Sequence, residues 1–143
     1  MAHPAVKDFV RVLSETDRSR TTTETFRDWA EMAYCALAKR ACANPAKAEK
    51  LESQFAEVEA RYKPADRRRM GELLGIAVLA LNKGGVDFLG QVAGEIGALD
   101  ARLGQFFTPY EISRMMSELS LTDAPALIKE RGFITLDEPA AGA

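Results

Sequence analysis

Arg61-Tyr62-Lys63-Pro64-Ala65-Asp66-Arg67-Arg68-Arg69-Met70 is the stretch on which the reading of the fold turns. A residue that precedes proline is steered away from the α region, so Lys63 ends one helical pattern. Pro64 then opens the next, because proline suits the first helical position, where its missing N–H costs nothing. Downstream, Leu73, Leu74, Ile76, Ala77, Val78, Leu79, Ala80 and Leu81 continue this fourth helix, which reads as the most buried element of the chain. Asn82-Lys83-Gly84-Gly85 ends it, since glycine tolerates the left-handed geometry of a helix C-cap. Upstream, Asn44-Pro45 is a restart of the same kind, and the third helix runs from there to about Tyr62.

Helical spacing extends outward in both directions. Pro4 to Ser14 puts Val6, Phe9, Val10 and Leu13 on one stripe, at the i, i+3, i+4, i+7 spacing of an amphipathic helix. Glu15 to Thr22 is polar and reads as a connection. From Thr23 and Glu24 a long second helix presents Phe26, Trp29, Ala30, Ala33, Tyr34, Leu37, Ala38 and Ala41 as a broad apolar face. A fifth helix is expected over Val86 to Leu99, with Phe88, Leu89, Val92 and Ile96 inward; its glycines at 90, 94 and 97 suggest a second backbone close by. Thr108 as N-cap and Pro109 at the first position open a sixth helix to about Leu119, with Ile112, Met115, Met116 and Leu119 as its inner stripe. Thr122-Asp123 precedes a short seventh helix, Ala124 to Glu130, capped by Gly132. Only Phe133-Ile134-Thr135-Leu136 changes type, to a β-rich run.

Composition narrows the class. At 143 residues with 47% hydrophobic and 28% charged residues, the chain matches a single globular domain that needs no metal or disulfide to hold its core. The longest apolar run, Gly75 to Leu81, is far too short to span a bilayer, and the start MAHPAVKDF has no basic segment followed by a long apolar one. No membrane association and a cytoplasmic location are therefore expected. A net charge of −2 gives no overall pull toward nucleic acid, so any DNA contact must be local. Arg61, Lys63, Arg67, Arg68 and Arg69 form the one basic cluster suited to phosphates; the competing reading is a solvated helix start. Cys35 and Cys42 lie too far apart along one helix to bridge and read as free thiols. The single histidine, His3, has no companions that would hold a metal.

Three segments together carry a resemblance: Asp87-Phe88-Leu89-Gly90-Gln91-Val92-Ala93-Gly94-Glu95-Ile96-Gly97, Gly104-Gln105-Phe106-Phe107-Thr108-Pro109, and Leu136-Asp137-Glu138-Pro139-Ala140-Ala141-Gly142-Ala143. In this order they resemble the amino-terminal half of adenine-specific DNA methyltransferases of the type I modification-subunit kind. There a helical domain leads to a (G)Q(F/Y)(F/Y)TP motif and then to a strand ending in D/E-P-A-x-G-x-G. The resemblance covers residues 84–143 well and the earlier helices in general character only. Six to seven helices with short Pro- or Asn-capped connections make a mainly α bundle or array, and the resemblance implies that the one short C-terminal strand begins a class I methyltransferase sheet. The implied boundary separates a helical domain, residues 1–121, from the start of an incomplete S-adenosylmethionine-binding domain, 122–143.

The resemblance also implies roles. Phe107, Thr108 and Pro109 match the motif that flanks the methionine end of S-adenosylmethionine, with Gln105 and Phe106 supporting the turn. Glu138, Pro139, Ala140, Ala141 and Gly142 match the first cofactor motif up to its first glycine, and the second glycine falls one position past Ala143. Taken without the resemblance, Phe106 and Phe107 are equally readable as core. The (N/D)PP(F/Y) tetrapeptide that receives the flipped adenine is absent from the sequence, so no catalytic residue is assigned and this chain alone is not expected to methylate DNA. The favoured expectation is an amino-terminal portion of such an enzyme, working through contacts with DNA or with a specificity subunit or other protein. The alternatives are a short non-enzymatic protein from a mobile element that binds a macromolecule as inhibitor or decoy, and a chain that binds the cofactor in trans with a separate catalytic half. An unpaired hydrophobic strand invites a partner, so a homodimer through residues 133–136 is a further expectation.

Overall fold

Phe9 is fully buried, and three aromatic rings meet it edge-on: Trp29 at 4.7 Å, Phe88 at 5.5 Å and Phe26 at 6.2 Å between centroids. Around this contact the computed structural model describes residues 4–84, 87–98 and 108–137. The described residues form α1 (Pro4–Glu15), α2 (Thr22–Ala41), α3 (Pro45–Glu59), α4 (Pro64–Lys83), α5 (Phe88–Glu95), α6 (Tyr110–Ser120) and α7 (Ala124–Arg131). The chain divides into two compact units, Met1–Phe106 and Phe107–Ala143. The protein is thus mainly α, and no strand occurs among the described residues.

Local chemistry sets the helix starts. Thr21 caps α2: its hydroxyl oxygen accepts from the Glu24 N–H at 3.2 Å, while the Glu24 carboxylate accepts from the Thr21 N–H at 2.9 Å. This reciprocal capping box starts the helix at Thr22, earlier than the expected Thr23–Glu24, because it satisfies two otherwise orphaned donors. Asn44 accepts from Lys47 N–H and Pro45 occupies the first turn of α3, as expected. Lys63 and Pro64 open α4 without a side-chain cap. Gly84 at the α4 C-cap and Gly132 at the α7 C-cap adopt φ of 65° and 84°, a backbone shape that favours glycine. Pro109 stands at the α6 N-cap, one residue off the expected first position.

In the first unit α2 packs on α3, while α1 packs on α4, α5 and α2. The α2–α3 pair is antiparallel: Lys39 pairs with Glu52, Glu31 accepts from Gln54 and Asp28 from Tyr62, so partners advance on one helix as they retreat on the other. The core is built from Val6, Phe9, Val12 and Leu13 of α1, Trp29 and Met32 of α2, Val58 of α3, Tyr62 in the connection after it, Met70, Leu73, Ala77 and Ala80 of α4, and Phe88 and Val92 of α5; α3 ends at Glu59, short of the expected Tyr62.

Several expected faces are corrected. Helix α4 is not buried all round: Met70, Leu73, Ala77 and Ala80 form a single stripe, and Val78, Leu79 and Leu81 are exposed, with Leu79 at 67%. On α2 the inward arc is Thr25, Asp28, Trp29, Met32 and Cys35, so Tyr34 and Leu37 point to solvent. A helix against one neighbouring layer covers one arc, whatever the apolar content of the rest. Helix α5 ends at Glu95, short of Leu99. Among the described residues no second backbone crowds its glycines; Gly90 instead leaves room for Asp87, whose carboxylate caps the helix and would collide with a Cβ there.

In the second unit neither α6 nor α7 buries a side chain among the described residues. The expected inner stripe, Ile112, Met115, Met116 and Leu119, is exposed, because helices of 11 and 8 residues enclose little volume. The described part of the expected strand, Phe133 to Leu136, carries no ladder; a strand exists only through the partner that satisfies its backbone. Cys35 is buried and Cys42 half-buried, both as free thiols.

Truncation separates core from surface. Phe9→Ala is expected to lower stability by about 3–5 kcal/mol, the usual cost of deleting a buried aromatic, and Leu79→Ala by less than about 0.5 kcal/mol. Urea unfolding of both variants checks this, and similar costs for the two would contradict the placement of α4.

Candidate nucleic-acid interface

Asp28 organises the end of the first unit where the α1–α2 and α3–α4 connections meet. It faces inward from α2 and is 7% exposed. A buried carboxylate is costly unless its oxygens are satisfied. Here Oδ1 accepts from Arg61 Nη1 at 3.1 Å and Oδ2 accepts from the Tyr62 hydroxyl at 2.7 Å. Arg20 adds its guanidinium 3.9 Å from Oδ2 and lies 5.3 Å above the Tyr62 ring centroid, a cation–π distance.

A second acid ties the same connections from the other side. Asp66, in the first turn of α4, accepts from the Asp17 N–H at 3.3 Å and from Arg69 Nη1 at 2.9 Å. Asp17 holds a left-handed φ of 36°, unusual for a residue with a side chain. Its carboxylate accepts from the Ser19 N–H, the Ser19 hydroxyl and Arg20 Nε, which offsets part of that strain. The Ser19 hydroxyl chiefly, with its backbone N–H and Arg20, holds the Asp17 carboxyl below its usual value, against the opposing effect of burial.

The basic residues singled out in the sequence therefore divide. Arg61 and Arg69 are bound to buried acids, and Arg67 donates Nε to the Tyr62 carbonyl at 2.9 Å. Lys63 and Arg68 are exposed, with no acidic partner among the described residues. Arg61 and Lys63 share a concavity of about 400 Å³ with Arg18 and Arg20, flanked by Glu15, Asp17 and Asp66. Arg67 is not part of it and lines a different cavity. Arg18 and Arg20 were not legible as site residues, since the fold brings them across a sequence separation of 49 between Asp17 and Asp66. Such a surface can hold a phosphate oxygen through lysine and arginine; it contains no nucleophile paired with a base.

Of the expected cofactor residues, Thr108 and Pro109 are exposed at the start of the second unit. Phe106, Phe107, Glu138, Pro139, Ala140 and Gly142 lie outside the described residues. Among the described residues no cluster of His, Cys, Asp and Glu could hold a metal ion, and no helix is long and apolar enough to cross a membrane. Comparison with family models, curated proteins and solved structures gives no match for this chain.

Tyr62 gives the site a pH signature. Burial first, then the hydrogen bond to Asp28 and that carboxylate's charge, push its pKa above the ordinary 10.0. With the folded value above the unfolded one, the stabilisation is complete below the unfolded value and is lost as pH rises through and beyond it. The unfolding temperature is expected to fall more steeply above pH 10.0 in the native chain than in Tyr62→Phe. Equal slopes would mean that Tyr62 titrates as it does in the unfolded chain.

Proposed function

We propose that the chain is the helical amino-terminal portion of an S-adenosylmethionine-dependent, adenine-specific DNA methyltransferase of the restriction-modification type, and that its first unit contacts the DNA backbone. One observation carries the DNA contact: Lys63 before α4 and Arg68 within its first turns are exposed and without acidic partners among the described residues, while Arg61 and Arg69 are held in place by Asp28 and Asp66 and Arg67 by the Tyr62 carbonyl. Phosphate contacts of this kind position a protein on a duplex without reading its sequence. Membership of the methyltransferase class rests on the resemblance of Gln105 to Pro109 and of Glu138 to Gly142 to the two cofactor motifs. In this reading Thr108 and Pro109, with Phe106 and Phe107, flank S-adenosylmethionine, and Phe133 to Leu136 becomes the first strand of the sheet once a neighbour pairs with it. Methyl transfer belongs to the tetrapeptide that this sequence lacks.

A second reading, a non-catalytic protein that binds another macromolecule, draws on the exposed Ile112, Met115, Met116 and Leu119 of α6. Fluorescence anisotropy of a short labelled duplex distinguishes the two. Backbone contact predicts binding that weakens as salt rises. Lys63→Ala combined with Arg68→Ala is expected to reduce the slope of log K against log salt by about 2, roughly one for each phosphate left without its cation. Unchanged binding in the double variant would overturn the assignment of these two residues, and no DNA binding by the native chain would leave the second reading.

A further inference from the structure

The concavity of about 400 Å³ between the α1–α2 and α3–α4 connections is flanked by three acids, and each is already matched. Glu15 pairs with Arg11 at 3.7 Å, Asp17 with Arg20 at 3.0 Å and Asp66 with Arg69 at 2.9 Å. Of the cations that line the space, Arg20 is held by Asp17 and Arg61 by Asp28. Arg18 and Lys63 are exposed and have no acidic partner among the described residues. Two positive charges in one concavity are therefore left unclaimed.

Both cations stand on anchored backbone. The Asp17 N–H donates to Asp66 Oδ1 at 3.3 Å, which ties the turn carrying Arg18 to the start of α4, next to Lys63. The Arg20 N–H closes that turn onto the Asp17 carbonyl at 3.0 Å. An anion that meets two cations on loops already fixed to each other does not have to order those loops, which removes one of the usual costs of binding.

We propose that this concavity is a binding site for a phosphate group that carries two charges, as a monoester or as the free ion, held by Arg18 from one connection and Lys63 from the other. A phosphate monoester is close to doubly charged at neutral pH and matches both unclaimed cations. A diester within a nucleic-acid strand carries one charge and leaves one cation unmatched. Arginine presents a planar fork to two phosphate oxygens, and lysine adds a compact charge beside it. The site shares Lys63 with the proposed DNA contact but rests on Arg18, which that contact does not use, so absence of duplex binding would leave it standing.

Methyl phosphate and dimethyl phosphate are probes of similar size that differ by one charge at about pH 8. Each is titrated into the ¹⁵N-labelled chain at low salt, with the backbone N–H signals of Ser19 and Lys63 as the readout. Saturable shifts with methyl phosphate are expected, with a dissociation constant on the order of millimolar. Dimethyl phosphate is expected to bind about fivefold more weakly, the effect of one unit charge at about 4 Å in water. Arg18→Ala is expected to weaken methyl phosphate by about the same factor and to keep the fold, since the exposed side chain has no partner to lose. Lys50→Ala, outside the concavity, is expected to change nothing. Inorganic phosphate as a third ligand separates the two sources: binding tighter than that of methyl phosphate assigns the free ion, and equal or weaker binding assigns the monoester. Shifts that never saturate, equal affinity for the monoester and the diester, or equal affinity in the native chain and Arg18→Ala would each overturn the proposal.

Discussion

The first unit depends on one side chain, Phe9, because its ring is the surface that helices from three parts of the chain share. Trp29 and Phe26 reach it from α2 and Phe88 from α5, all within the edge-to-face range. Each such pair contributes about 0.5–1.5 kcal/mol beyond the area it buries. Edge-on contacts also specify angles, so they orient α2 and α5 relative to α1 as well as attaching them. Helix α4 closes the remaining side of α1, with Leu73, Ala77 and Ala80 on its inner stripe. The small residues Ala77 and Ala80 in that stripe permit the two helices to approach closely.

At one end of this apolar centre the packing gives way to shared acids. Asp28 and Asp66 each serve partners from separate connections, so the turns around residues 17–20 and 61–66 are bound to the helices and to each other. The arginines engaged in this way are not free for other work. What remains available on that face is the charge that no buried acid has claimed, and this is why a run of basic residues in a sequence overstates the electrostatic surface it produces.

Helix punctuation was legible because its signals are local. Asn44-Pro45, Lys63-Pro64 and Gly132 each mark a boundary through the geometry of their own residues. Facing direction was less so. Tyr34, Leu37 and Leu79 look inward by hydrophobicity, but the arc that a helix buries is chosen by the neighbours it meets, and those lie far along the chain. The candidate interface follows the same rule: Arg61 and Lys63 could be noticed as charges, whereas the demand that Asp28 makes on residues 33 and 34 positions away could not.

The two units differ in what resists their opening. Every helix of the first has side chains locked into a common interior, so separating one exposes several others and the unit opens as a whole. Helices α6 and α7 bury no side chain among the described residues. Among the described residues their backbone hydrogen bonds have only capping and short-range pairs such as Arg114–Glu118 to set against chain entropy. Amide hydrogens there belong to the fast-exchanging end of the molecule, governed by local fraying, while those of α1 and α4 wait for global unfolding. The chain therefore joins a cooperative body to a segment that opens locally and independently of it.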